Sequence, residues 1–353
     1  MYSRLSAISA TLFVFLFYGC NINPVSDTFP DQIEFESVYQ WIKVYSIYQD
    51  SSKYEGRIPQ DPFSFKSPSQ MLESIHDTLK GYNYTRYTEN PNFYQASSSS
   101  GYQLDTTFVR IEKLTDSTVY LAIYGFERGY TYNQFSSVIG KADSFPNIVV
   151  DLRGNLGGDL DELDSIAEAF LPRGSKFIMI REREYDSQSK SGYTKNWHPW
   201  ITTKYPDPAL DKKKISVLMD NSTASAAEIL ASALKDCTNA NLIGDRSYGK
   251  GMGQRIIVRR KRPSFEITAL QIQGMTPRTG YYHEKGIEPD NISSELQIEG
   301  RKYFPDTYNR NLFFAVKMLE PGASANSIKM PLPKSGILMK TAAGYKVTYD
   351  TLN

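Results

Sequence analysis

The sequence predicts an α/β fold, and three observations carry that expectation. Short runs that are apolar at nearly every position end in glycine- or serine-rich turns and lead into helix-patterned segments. "NIVVDLRGNLGG" (147–158) precedes "DLDELDSIAEAFL", and "KISVLMD" (214–220) turns at "NST" into "SAAEILASALKD". Such runs suit strands covered on both faces. A second group is alternating or β-branched with no helix between its members: "TTFVRIEKL" with "STVYLAIYGF", and "QRIIVRR" with "SFEITALQIQG", the latter reading as a hairpin. Other helical spacing lies towards the ends of the chain, before residue 95 and near Tyr308 to Leu319.

In chain order, Arg4 supplies a short positive start and Leu5 to Tyr18 an apolar stretch. That stretch falls short of the roughly 20 residues a membrane span needs, so it reads as a secretory signal. It ends in "FYGC", and a small residue followed by Cys20 resembles a bacterial lipoprotein cleavage box. The lipid would then sit on Cys20. Phe17 and Tyr18 are bulkier than usual there, and the plainer alternative is an ordinary signal with an incidental cysteine. Either reading takes the protein out of the cytoplasm, and the first anchors it in a bacterial cell envelope.

Residues 21–34 read as a polar tether and residues 35–94 as a small helical N-terminal domain. Val38, Trp41, Ile42, Tyr45 and Tyr48 recur at helical spacing. A second helix is capped by Ser67, starts at Pro68, carries Met71, Leu72, Ile75 and Leu79 on one stripe, and ends at Gly81. "QASSSSGYQ" (95–103) is a break. The main body is expected over 104–322, with a C-terminal extension over 323–353.

Composition narrows the function classes. A net charge of +1 over 353 residues gives no bulk attraction to nucleic acid. The basic run "RRKR" (259–262) reads as a solvated hairpin end. Two cysteines, Cys20 and Cys237, exclude a disulfide framework and a cysteine-rich zinc site. Of the three histidines, His76, His198 and His283, none has the company of a metal site. No metal and no cofactor are expected. His198 lies in "NWHPW" (196–200), an insert expected to pack a loop.

"GDRSYGKGMGQ" (244–254) has the glycine and lysine spacing of a phosphate loop, G-x-x-x-x-G-K-[ST]. Gly251 stands where that motif needs a hydroxyl for magnesium, and a strand-like run follows instead of a helix. Nucleotide binding therefore fails. Upstream, Ser225 is the last serine before a helix whose free N–H groups favour a developing negative charge. Ser225 with Glu228 also fits a capping box, S-x-x-E, and on that motif alone the structural role leads. The order strand, Ser225, helix, strand, Lys250 can fold the lysine back beside the serine.

At these residues the chain resembles the C-terminal processing (tail-specific) serine proteases. "NSTASAAEILASALKDCTNANLIGDRSYGKGMGQ" is similar to their catalytic core, "VVDLRGNLGG" to their D-L-R-x-N-x-G-G block, and "GMTPRTGYYHEKGIEPD" to their closing motif. "YTRY" (84–87) resembles the segment that precedes their PDZ domain. The resemblance implies a crotonase/Clp-protease-like ββα spiral core and a Ser-Lys dyad that cleaves polypeptides through an acyl-enzyme. It implies Ser225 as nucleophile, Lys250 as general base and Gln254 as the residue orienting the amine. The oxyanion hole falls to the N–H groups of Ala226 and of Gly157 or Gly158, and Asp236 gives structural support. Asp151 and Arg153 are expected to brace their turn as an ion pair. Ala227 stands where relatives often have serine. A free lysine, with pKa near 10.4, has only about one amine in 2,500 neutral at pH 7. Lowering that pKa by about 3 units, at about 4 kcal/mol, supplies a useful neutral fraction.

About 20 residues separate Tyr87 from the strand at Phe108, too few for a PDZ domain. Tail recognition and gating by such a domain therefore do not carry over, and an adaptor protein could supply them. The alternative function is a catalytically idle relative that binds peptides or hydrophobic ligands.

Overall fold

The computed structural model describes residues 30–49, 57–88, 107–257, 264–276, 279–292, 307–331, 337–341 and 344–348. The signal segment with Cys20, the serine-rich break and the basic run 259–262 lie outside the described residues. The chain starts with helices α1 (Pro30–Tyr45) and α2 (Pro68–Glu73) and short strands β1 (Thr78–Leu79), β2 (Tyr82–Asn83) and β3 (Arg86–Thr88). Strands β4 (Val109–Lys113) and β5 (Thr118–Ile123), helix α3 (Thr131–Val138), strand β6 (Asn147–Asp151) and helix α4 (Leu160–Phe170) follow. Then come β7 (Lys176–Asp186), β8 (Ser191–Thr194), β9 (His198–Ile201), β10 (Lys214–Met219), α5 (Ala226–Thr238) and β11 (Asn241–Gly244). The chain continues through β12 (Met252–Ile257), β13 (Ser264–Gln273), β14 (Asn291–Ile292), α6 (Thr307–Leu319), β15 (Ile337–Thr341) and β16 (Gly344–Thr348). This is the mixed α/β architecture expected.

The first sheet has the order β14-β11-β10-β6-β5-β4, parallel except for β4. Its central strands β5, β6 and β10 are buried on both faces, which is why they are largely apolar, whereas the edge strand β4 is half-buried and carries Arg110, Glu112 and Lys113. Val119, Leu121 and Ile123 face one core, shared with α3, α4 and α5, while Tyr120 and Ala122 face a second core under α6. The strand period of two thus sends alternate residues of β5 to different helices.

The second sheet is antiparallel, in the order β12-β13-β7-β8, with β3 paired to β13 and β9 to β7. The hairpin read from "QRIIVRR" and "SFEITALQIQG" is β12–β13. The "NWHPW" insert is largely strand β9, with Trp200 packed edge-on against Phe177. Residues of the N-terminal helices, among them Val38, Ile42, Met71 and Leu72, share one core with Met252, Ile257, Phe265 and Ile267 of this sheet.

The second helix is shorter than its apolar stripe suggests. Ser67 caps it, its Oγ accepting from Gln70 N at 3.2 Å, and Pro68 opens it. It ends at Glu73, because the chain must turn to deliver Asp77 into a buried hydroxyl cluster. His76, exposed at φ 50°, makes that turn. Leu79 is strand, and Gly81 belongs to a two-residue hairpin turn with Lys80, both at positive φ.

Candidate active site

Strands β6, β10 and β11 run parallel, and the loops leaving their C-terminal ends meet, where open parallel sheets place their sites. The loop after β6 carries Gly157 and Gly158, that after β10 carries Ser225, and that after β11 carries Lys250. The first two loops are docked by hydrogen bonds that each use a main-chain group of the β6 loop. Ala224 N donates to Asn155 O at 2.9 Å, Thr223 Oγ1 to Leu152 O at 2.9 Å, and Gly154 N to the Asp220 carboxylate at 3.1 Å. Asn155, fully buried, holds the glycine turn by donating to Ile123 O and accepting from Gly157 N, both at 2.8 Å. The third loop joins them through Tyr248 N, which donates to Thr223 O at 2.9 Å.

Ser225 is nearly buried and has φ 55° and ψ −120°, a conformation that costs a non-glycine residue free energy and recurs at reactive serines on strand-to-helix turns. Gly157, at φ 91°, lies so close that a Cβ there would meet Ser225 Cβ and Ala224 O at 2.7 Å and Ala226 N at 2.9 Å. Only glycine fits that approach. Gly158 forms a parallel bridge with Phe126, where a Cβ would stand 2.1 Å from Phe126 O.

Glu228 is fully buried and was legible in the sequence only as a cap. Its Oε2 accepts from Ser225 N at 2.9 Å and from Lys250 N at 2.8 Å. Its Oε1 accepts from Gly249 N at 2.7 Å and from the Ser247 hydroxyl. One carboxylate thus clamps together the two segments that carry the serine and the lysine. Burial pushes its carboxyl above the usual range, and the four donors pull the other way.

The Lys250 amine lies over the Tyr84 ring, 4.6 Å from its centroid. Gln254 donates through Nε2 to Thr268 Oγ1 at 3.2 Å. Thr268 Oγ1 in turn donates a hydrogen bond to the buried Asp77 carboxylate, which also accepts from Tyr48 and Thr85. This polarity reserves Gln254's carbonyl oxygen as its acceptor end. Asp236 accepts from Met275 N at 3.2 Å and from the Thr276 and Thr279 hydroxyls, bracing the closing motif. Asp290 of that motif accepts from Leu242 N at 2.8 Å and pairs with Lys235 at 2.9 Å. Asp151 and Arg153 form a buried ion pair, Arg153 Nε lying 2.9 Å from Asp151 Oδ1, with Tyr120 donating to Asp151 at 2.8 Å.

His283 lies buried against Gly251 beside the lysine loop. His198 is held by Asn196 O and Glu182 on the second sheet, and burial pushes the Cys237 thiol up to about 11. Among the described residues, no group of three or more His, Cys, Asp or Glu side chains is placed to hold a metal ion.

A serine at positive φ on a strand-to-helix turn, with a glycine turn packed on it and a lysine loop clamped to it, has the layout of a serine-hydrolase site on an α/β scaffold. The chain belongs to peptidase family S41, whose model matches residues 117–293, half of its length. It is 31% identical over 189 residues to a carboxy-terminal processing protease, CtpB, of Bacillus subtilis (strain 168), covering 53% of this chain and 36% of that one. It is 30% identical over 212 residues to a probable CtpA-like serine protease of Staphylococcus aureus (strain MSSA476), covering 59% and 37%. The matched part is thus little more than a third of each relative. The fold is similar to a photosystem II D1 C-terminal processing protease, with TM-score 0.53, 14% identity, and coverage of 74% of this chain and 93% of that one. It is likewise similar to a lipoprotein from Streptococcus agalactiae, with TM-score 0.53, 14% identity, and coverage of 81% and 99%.

Proposed function

We propose that this chain is a serine endopeptidase that hydrolyses polypeptides through a Ser225–Lys250 dyad. The observation that carries the reading is the shared Glu228 oxygen, which accepts from the N–H of both residues although 25 positions separate them. A helix cap alone has no use for the second of those bonds.

In the proposed reaction the neutral Lys250 amine takes the Ser225 proton as Oγ attacks the scissile carbonyl. The developing oxyanion is received by Ala226 N, the first and intrahelically unpaired N–H of α5, with the helix dipole behind it. Of the two glycines, Gly157 has its N–H taken by Asn155, so Gly158 is assigned the second donor. The ammonium then protonates the leaving amine, and water hydrolyses the acyl-enzyme by the same route in reverse. Asp236 supports the wall that the closing motif forms.

The same proposal keeps the secretory signal, lipid attachment at Cys20 and an envelope location, and leaves room for an adaptor that selects substrates.

The test is cleavage of an unfolded protein by the chain starting after Cys20, beside Ser225→Ala and Lys250→Ala. A loss of at least about a thousandfold in both is expected. Activity surviving either substitution rejects the role of that residue. Cys20→Ala should move the full chain from the membrane to the soluble fraction.

A further inference from the structure

Tyr84 lies outside the span matched by the family model, yet its ring covers the Lys250 amine at 4.6 Å from the centroid. The ring is held in place from several sides. Tyr84 N donates to Asp77 O at 2.9 Å, and the next residue, Thr85, is buried with its hydroxyl on Asp77 at 2.8 Å. The Tyr84 hydroxyl reaches Tyr248 Oη at 3.4 Å, and Tyr82 packs on Tyr84 with ring centroids 4.9 Å apart. Asp77 anchors the segment at one end and β3, paired to β13, at the other. A ring so fixed is a permanent wall of the lysine's environment.

An aromatic face carries a negative potential that favours an ammonium over a neutral amine. We propose that Tyr84 sets the protonation of Lys250, holding the amine charged to a higher pH than its burial alone would allow and so confining the dyad to the alkaline side. This rests on the reading of Lys250 as the base. Other charged and titratable groups stand near the lysine loop, Glu284 and Lys285 against Gly249 among them. Glu228 accepts from the lysine's own N–H, and Asp77 lies beneath Tyr84. Lys80 stands over the Tyr248 ring at 4.2 Å. Arg86 covers Tyr82 at 5.1 Å and pairs with Glu266 at 3.0 Å. His283 backs Gly251, where an added Cβ would meet His283 Cβ at 3.0 Å. Burial raises the Tyr84 hydroxyl well above the ordinary tyrosine value, so the ring stays a neutral phenol wherever the lysine titrates.

The test reads the lysine directly. The full chain is labelled with trace acetic anhydride between about pH 6 and 11, and the Lys250 peptide is quantified by mass spectrometry, with exposed Lys113 as internal reference. The energy of a cation over an aromatic face predicts that Tyr84→Leu lowers the Lys250 midpoint by about 0.4 to 1.5 pH units. Tyr84→Phe keeps the ring and should keep the midpoint, which controls for damage to the fold. A midpoint that stays put or rises in Tyr84→Leu overturns the proposal, because the ring would then act by excluding water. Cleavage of an unfolded protein across the same pH range separates the two claims. If the midpoint falls, the acid limb of kcat/KM in Tyr84→Leu should fall with it. A shifted midpoint with no cleavage by any form would reject the peptidase reading and leave the Tyr84–Lys250 coupling standing.

Discussion

Replacing Glu228 separates the capping role of this residue from its role in holding the site together. In Glu228→Gln one oxygen remains and an NH2 takes the place of the other. With the oxygen towards Ser225 N and Lys250 N, the NH2 faces the Ser247 hydroxyl, which can accept from it, and Gly249 N, which cannot. One buried N–H is then orphaned, at about 1–3 kcal/mol. The flipped amide orphans both Ser225 N and Lys250 N, at about 2–6 kcal/mol, so the first arrangement prevails. Glu228→Ala has no such choice. It strands three backbone N–H groups and opens a cavity, for about 4 kcal/mol or more. Urea unfolding should therefore rank wild type above Gln above Ala, with the midpoint falling and the slope unchanged. A serine-reactive probe should label the Gln variant within about tenfold of wild type and the Ala variant at least about a hundredfold more slowly, since a misplacement of about 1 Å can cost that much. Equal stability for all three proteins, or equal labelling by Gln and Ala, would refute the clamp.

Two further outcomes follow from particular contacts. Gly157→Ala puts a methyl 2.7 Å from Ser225 Cβ at a φ of 91°, so probe labelling should fall by more than about tenfold even where the protein still folds. Asp164, on α4, has its carboxyl pushed up to about 6, first by burial and then by Glu168. The folded state therefore holds this proton more tightly than the unfolded chain. The stability it contributes is complete below about pH 4 and lost as the pH rises through about 6. Asp164→Asn should accordingly raise the free energy of unfolding at pH 7.5 by about 1–2 kcal/mol after allowance for partial exposure, seen as a higher Tm, and make no difference near pH 3.5; the reverse order would reject the assignment.

The parts of the fold that rest on local pattern were legible. Strand-to-helix units announce themselves through apolar runs and glycine turns, and the β12–β13 hairpin through its β-branched residues. The meeting of the candidate-site loops was legible because those loops follow the units directly. Helix α3 was not read, and it has no side-chain cap at Tyr130 to mark its start. The second helix was read too long because its stripe continues through Ile75 and Leu79. What stops it is Asp77, and the hydroxyls that satisfy Asp77 come from Tyr48, Thr85 and Thr268. Glu228 was seen as a cap because Ser225 lies three residues away; its other donors, Ser247, Gly249 and Lys250, arrive from across the fold. Gln254 was placed by resemblance, and its bond to Thr268 could not be read from a single strand.

The shared core beneath the second sheet has a consequence for how the molecule is made. Tyr48 meets Met252 across 204 positions, and Asp77 meets Thr268 across 191. During synthesis the N-terminal helices emerge first and wait, with an apolar face uncovered, until about 200 further residues have followed. Loop closure over such distances is slow. The wall behind the lysine is therefore among the last parts to close, and an incomplete chain carries Ser225, the proposed nucleophile, before Tyr84 is held over Lys250. In the proposed peptidase, activity therefore arises only after the second sheet has docked.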